Sequence, residues 1–364
     1  MAIACATAHA VATQDAPFAA EKRAALEAAF DQSFAATKVP GAIVGIWIQG
    51  EGSYFATRGF ANPATREPMR VADHMRIGSI TKTFTVTALL VLAKEEKIVL
   101  DDPVSKYFGF VPNGKAITLR MLADMTSGLF SYTEDEAWVK KLLADPKRTW
   151  KPRELVDVAL AHPPHFEPGK GWHYSNTNTV LLGMVIEKVT GKPIAQVFQE
   201  KLFKPLRLTQ TVWPTGSGLP APFAHGFTVQ TPDGKEADAT FNNPSWGFTA
   251  GQLVSTLKDL RTWVESYTTG SLITPELQKE RTTWVTLPPN TPQKAYGLGI
   301  GIDRGWLGHT GELPGYNVAA YYLPERKATI VVMVNSDIPV GNANPAPTIM
   351  RALIRVATPQ NVPE

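Results

Sequence analysis

Ser79-Ile80-Thr81-Lys82 sets a hydroxyl and an amine three residues apart. On a helix the two side chains share a face one turn apart and can hydrogen-bond. At a helix start, the positive end of the dipole and burial both disfavour a charged ammonium, which moves its pKa toward that of a general base. A neutral Lys82 would then take the Ser79 proton as the serine attacks a carbonyl. The pattern alone is weak evidence. Ser255-Thr256-Leu257-Lys258 repeats it and reads as a polar helix face.

Two further elements separate the pairs. Tyr174-Ser175-Asn176 is the only Tyr-x-Asn in the chain, and His309-Thr310-Gly311 the only His/Lys-Thr-Gly. S-x-x-K, Y-x-N and H-T-G in that chain order match the arrangement in serine β-lactamases and penicillin-binding proteins. Only Ser79 stands upstream of both partners. The stretches MRIGSITKTFTVTALLVLAKEEKIVLDDPVSKYF, LADMTSGLFSYT, EPGKGWHYSNTNTVLLGMVIEKVTGKPI and GHTGELPGYN resemble the soluble D-alanyl-D-alanine carboxypeptidases and the class C β-lactamase group. The resemblance spans roughly Pro40 to Ser336.

That resemblance implies a role for each matching position. Tyr174 would be a phenol or phenolate, its pKa depressed by two nearby cations, that passes a proton to the leaving group. Asn176 would bind the acyl-side amide carbonyl while touching Lys82. His309 would hydrogen-bond toward Tyr174 and keep positive potential in the cleft. Thr310 and Gly311 would line the substrate's path, with Thr310 reaching a carboxylate or amide from an edge strand. Backbone N–H groups of Ser79 and Glu312 would form an oxyanion hole. Thr133 and Trp246 match cleft-lining positions. One departure bears on substrate. In Tyr296-Gly297-Leu298-Gly299-Ile300-Gly301-Ile302-Asp303-Arg304, Gly301 stands where the carboxypeptidases carry an arginine that holds a terminal carboxylate. Arg304 would have to reach back across a two- or three-residue shift on a strand to replace it.

The elements that must position these groups follow from pattern. An N-terminal helix is expected over Ala19 to Thr37, stopped by Pro40-Gly41, then a hairpin from Ala42 to Ile48 and Tyr54 to Phe60. Ser79 to Lys94 is apolar on nearly every face and reads as a helix buried inside a domain. Asp101 to Ser217 is mostly helical, with helices at Pro152 to Leu160 and Asn178 to Thr190 and Gly191 as a stop signal. Strands return at Gly297 to Ile302, Val318 to Leu323 and Ala328 to Asn335, before a last helix around Pro347 to Val356. The fold expected is therefore α/β: an antiparallel sheet flanked by helices, built from both ends of the chain, with an inserted mostly helical lobe. Residues 16–360 form one catalytic domain in this reading, its α/β lobe about 16–100 and 290–360 and its helical lobe about 101–289.

Composition bounds the remaining possibilities. A chain of 364 residues, 44% hydrophobic and 19% charged, excludes disorder and fibrous classes. A net charge of +3 over that length gives no basis for a nucleic-acid partner. No stretch has the length of apolar residues a membrane span needs. The single cysteine, Cys5, excludes an internal disulfide. Residues 1–15 read as a signal-peptide remnant or a tail, with Ala8-His9-Ala10 in the form signal peptidase prefers, so a periplasmic or secreted location is expected, with the cytoplasm as alternative. His162, His165 and His173 fall close together, but Pro163 and Pro164 break the helical spacing that presents two histidines on one face, and there is no H-E-x-x-H. No metal and no cofactor are expected. Trp138, Trp150, Trp246, Trp263 and Trp284 read as core or cleft wall. The expected activity is that of a serine hydrolase on a peptide or small molecule, of D-alanyl-D-alanine carboxypeptidase or D-amino-acid peptidase type. A carboxylesterase or β-lactamase on the same scaffold and a non-catalytic penicillin-binding sensor are the alternatives.

Overall fold

The computed structural model describes residues 16–364; the expected signal remnant at 1–15 lies outside them. Gly41–Ile48 shows why an antiparallel sheet forms the centre. Ala42, Val44, Ile46 and Ile48 point to one face, Ile43 and Trp47 to the other, and all eight residues are buried. A strand of this kind needs cover on both sides. One face packs on the N-terminal helix Ala20–Thr37 and the last helix Pro345–Ala357 through Leu26, Phe30, Ile349 and Leu353. The other face packs on the helical body.

The sheet has eight strands, all antiparallel. Their order is Glu67–Pro68, Gly52–Asn62, Gly41–Ile48, Ala328–Val334, Tyr316–Leu323, Trp306–Leu313, Gly301–Asp303 and Lys294–Tyr296. Pairing of Ala42 with Val334 joins the two ends of the chain, as the strand pattern predicts. The Gln49–Gly52 hairpin is also as expected. Gly191 ends the Asn176–Thr190 helix in the left-handed region, φ 66°. Among the described residues, no helix is long and apolar enough to cross a membrane.

The reading of Gly297 to Ile302 as one strand is corrected. Residues 297–300 form a turn between Lys294–Tyr296 and Gly301–Asp303, with Gly299 at φ 65°. Leu298 N–H and Gly299 N–H donate to Arg281 O and Ala123 O in the helical body, 3.0 and 2.9 Å away, so the turn pins sheet to body. Its alternating Gly and apolar residues imitate strand periodicity while serving a turn that buries Leu298 and Ile300.

The central helix Thr81–Lys94 is buried along almost its whole length. Phe84 stacks on Trp263 at 3.7 Å, and Trp263 Nε1–H donates to Thr83 Oγ1 at 2.7 Å. Its buried threonines are satisfied individually. Thr85 Oγ1 donates to Thr249 O at 2.8 Å, and Thr81 Oγ1 accepts from Leu253 N–H at 3.2 Å. These bonds tie the helix to residues 249–253, of which Ala250 and Gly251 border the cleft.

Candidate active site

Ser79 sits in a short 3-10 turn, Gly78–Ile80, that feeds directly into the central helix. One turn later Lys82 is completely buried, and its Nζ donates to Ser79 Oγ and to Ala250 O, both at 2.8 Å. Burial pushes the ammonium well below the usual lysine range. The nucleophile and base expected from sequence are therefore in hydrogen-bond contact. The rival pair is not a pair. Ser255 has its Oγ against Thr211 Oγ1 at 2.9 Å in the core, while Lys258 is exposed.

The serine turn lies against the strand Trp306–Leu313. That strand pairs with Gly301–Asp303 only through Trp306, Leu307 and Gly308, so its second half is a free edge facing the turn. The two-residue link Pro314-Gly315 makes Leu313 and Tyr316 a closing pair. Alternation along an antiparallel ladder then turns the backbone groups of Glu312 and Thr310 away from the neighbouring strand and toward the cleft. Two glycines allow the approach. A Cβ on Gly311 would stand 1.9 Å from Ile77 O, and one on Gly78, at φ 51°, would stand 2.4 Å from Glu312 N. Gly78, which precedes Ser79, is thereby held against Glu312 N–H, the close approach that the expected oxyanion hole needs. Gly78→Ala is expected to push the turn off the strand. We expect kcat to fall about 100-fold, the scale of one lost oxyanion donor, with a lowered Tm by thermal denaturation; unchanged kcat would remove Glu312 N–H from the site.

Thr133, Asn176, Trp246 and Glu312 line the cleft beside Ser79, with Tyr132, Gln230 and Leu313, to which the sequence reading gave no role. Asn176 Nδ2 donates to Thr133 Oγ1 at 2.9 Å. The expected contact of Asn176 with Lys82 is replaced by Ala250 O, a backbone acceptor that no side-chain motif announces.

His309 departs from expectation in its charge, and Tyr174 in the direction of its pKa shift. The Tyr174 hydroxyl is buried and completes no well-directed hydrogen bond, although Ser79 is near enough to ease its ionisation. Burial outweighs that help and raises the phenol above its ordinary value, so Tyr174 is a neutral phenol with Lys82 Nζ 4.9 Å from its ring centre. His309 Nδ1 bonds to Thr310 O, and Nε2 faces Tyr296 Oη at 3.0 Å in place of Tyr174. With Nδ1 as the donor, Nε2 accepts from the tyrosine. Burial and the nearby Lys82 push the imidazole down to about 4. A neutral ring supplies no positive potential, which corrects the charge expected of it.

A second cavity of about 460 Å³ opens at Gly301 and is walled by Trp172, Tyr174, Tyr296, Ile302, His309 and Tyr321. Arg304 does not reach into it: it sits in a turn at φ 49°, and its guanidinium pairs with Glu364 at 2.7 Å. Lys294 at the cavity's rim lies 3.7 Å from Asp303. The three histidines of the 162–173 segment are handled without a helix. His162 Nε2 meets Asp135 at 2.6 Å, while His165 and His173 both face Glu134. The spacing argument excluded a helical pair, but loops bring two of the rings together.

Comparison with known proteins agrees with this fold. The Beta-lactamase family profile matches residues 26–353. A D-stereospecific amidohydrolase from Streptomyces sp. is 35% identical and superposes with a TM-score of 0.81 over 92% of this chain and 98% of its own. The D-amino acid amidase from Ochrobactrum anthropi SV3, solved with D-phenylalanine, is 25% identical with a TM-score of 0.82, over 93% and 98%. Protein flp of Staphylococcus aureus (strain MRSA252) is 28% identical over 313 residues, 82% of this chain; the chain spans 60% of that relative's length. The chain belongs to the Beta-lactamase family of serine hydrolases.

Proposed function

We infer that the protein hydrolyses amide bonds of D-amino-acid derivatives through an acyl-enzyme on Ser79, and that it favours leaving groups without a free carboxylate. The observation that carries the reading is the aromatic cavity at Gly301. Among the described residues, no unpaired guanidinium is available there to clamp a terminal carboxylate, because Arg304 is held by Glu364 and Lys294 lies beside Asp303. Rings and a neutral imidazole suit an apolar or amide group. The names of the two structural neighbours, a D-stereospecific amidohydrolase and a D-amino acid amidase, support the same chemistry.

The steps assign each proton. Ser79 Oγ attacks the carbonyl carbon while its proton passes to Lys82 Nζ over their 2.8 Å bond. The carbonyl oxygen becomes an oxyanion held by the N–H groups of Ser79 and Glu312. The C–N bond then breaks as the Tyr174 hydroxyl gives its proton to the leaving amine and recovers one from Lys82. Water attacks the ester, loses a proton by the same route reversed, and releases the acid and Ser79.

The test is a panel of D- and L-phenylalanine amides, and D-alanyl-D-alanine peptides with free or amidated ends, with benzylpenicillin followed by intact mass. Preference for D-amides and amidated ends is expected. Equal rates on L-amides, or a preference for free carboxylates, would overturn the reading. Gly301→Arg sharpens it. A Cβ there meets nothing closer than Gly308 O at 3.4 Å, so the strand accepts a side chain. The variant is expected to raise kcat/KM for free-carboxylate peptides about tenfold, the worth of one charge-assisted hydrogen bond. No change would mean that the leaving group's terminus does not lie at Gly301.

A further inference from the structure

We propose that Glu134, His165 and His173 form a binding site for one divalent transition-metal ion, zinc by ligand type, on the rim of the cleft. The Nε2 atoms of His165 and His173 lie 3.2 and 2.7 Å from the two carboxylate oxygens of Glu134. The offered ligand atoms all fall within 4.8 Å of one another. Ligands about 2.0–2.1 Å from a tetrahedral zinc stand roughly 3.3 Å apart, so small side-chain rotations bring these three onto one ion. Two imidazoles and a carboxylate, with a fourth position open to water, is a set that zinc takes.

The backbone places the ligands before any ion arrives. His165 N–H donates to Gly128 O at 2.8 Å, His173 N–H to Met125 O at 3.1 Å, and Glu134 N–H to Ser131 O at 2.9 Å. Phe130 stacks on His165 at 5.5 Å between ring centres, and the His165 and His173 rings are 3.8 Å apart. The three side chains are about one-third exposed, which leaves the ion a path in and a place for water. Glu134-Asp135-Glu136 adds negative potential around it. His162 stays out of the set, because Asp135 holds it.

The position gives the ion a consequence. Glu134 follows Thr133, which accepts from Asn176, and His173 precedes Tyr174. Bound metal would therefore fasten the turn Tyr132–Glu134 to the segment that carries Tyr174, two walls of the cleft that otherwise meet through side-chain hydrogen bonds.

The experiment is calorimetric titration of untagged, metal-stripped full-length protein with zinc, in a Cys5→Ser background so that no thiol competes. Cobalt absorption spectra would report the ligand number. One equivalent is expected to bind, with a rise in Tm of about 4 °C at a hundredfold excess over Kd. Glu134→Gln, His165→Gln and His173→Gln are each expected to weaken binding at least about tenfold and to cancel the rise in Tm. His225→Gln, on a separate pair with Asp238, should bind as the parent does. No binding by the parent, or binding that survives all three substitutions, would overturn the proposal. The conservative variants keep each side chain's size, so their Tm without metal shows whether they fold.

Discussion

Ser79→Ala is expected to lose at least about 10⁴-fold in kcat on every amide or ester the wild type hydrolyses, and to form no covalent adduct with benzylpenicillin. The loss is chemical. Ser79 is half-buried at the foot of the cleft, and its hydroxyl accepts a hydrogen bond from Lys82, while the turn that holds it is fixed by backbone contacts to the strand Trp306–Leu313. Alanine keeps those contacts, so Tm should move little. Lys82 retains its bond to Ala250 O, and the proposed oxyanion donors belong to the backbone, so substrate binding should survive with KM changed far less than kcat. Intact-mass spectrometry together with steady-state kinetics reads both consequences. An adduct on the alanine variant would place the nucleophile elsewhere.

Much of this arrangement is legible in sequence because strand and helix periodicities carry direct information on burial. Ala42, Val44, Ile46 and Ile48 alternate with residues that face the helical body, and the helix Thr81–Lys94 is apolar on all sides because it has no solvent face. The hydrogen-bonded pair Ser79 and Lys82 is legible for a related reason. A spacing of three on a helix fixes mutual distance whatever surrounds it. Tyr174 and Asn176 required a different signal, the order of motifs along the chain, since nothing local in Tyr-Ser-Asn says that it meets Ser79.

What escaped depends on relations between distant segments. Ala250 O is a backbone atom that any residue would offer, so no motif marks it as the second partner of Lys82. Tyr296 was in view as the first residue of the Tyr-Gly-Leu-Gly run, yet its hydrogen bond to His309 appears only when the Lys294–Tyr296 strand takes its place at the sheet edge. The direction of the Tyr174 pKa and the charge of His309 differ from expectation because sequence names the neighbouring cations and not the loss of water. With both groups buried, desolvation outweighs the neighbours, lifting the phenol and lowering the imidazole. Glu134, His165 and His173 converge through loops, where spacing carries no rule.

Lys82→Met is expected to cost about 10³-fold or more in kcat while leaving the protein as stable as wild type, or more so, near neutral pH. Methionine matches the length of the lysine stem and suits its apolar surroundings, although Ala250 O loses its donor. The stability argument follows from linkage. In the folded protein the amine titrates well below its ordinary value, because burial penalises the ammonium. Below the folded pKa both states carry the proton, and the folded state bears the full cost of a buried charge. Between the folded pKa and the unfolded value near about 10.4, that cost falls away as pH rises. Any stability advantage of Lys82→Met should therefore be largest at the acid end and shrink toward about pH 10, as read from Tm across the range. Activity has the complementary dependence: kcat/KM of the wild type should rise with pH as Lys82 loses its proton, and no second limb should come from His309 above about pH 5, since it is already neutral there. Lys258→Ala, at the exposed copy of the motif, is the control and should alter neither quantity. A Lys82→Met enzyme with wild-type kcat would remove the amine from proton transfer, and a large fall in its Tm would show that the buried lysine is there to hold the fold.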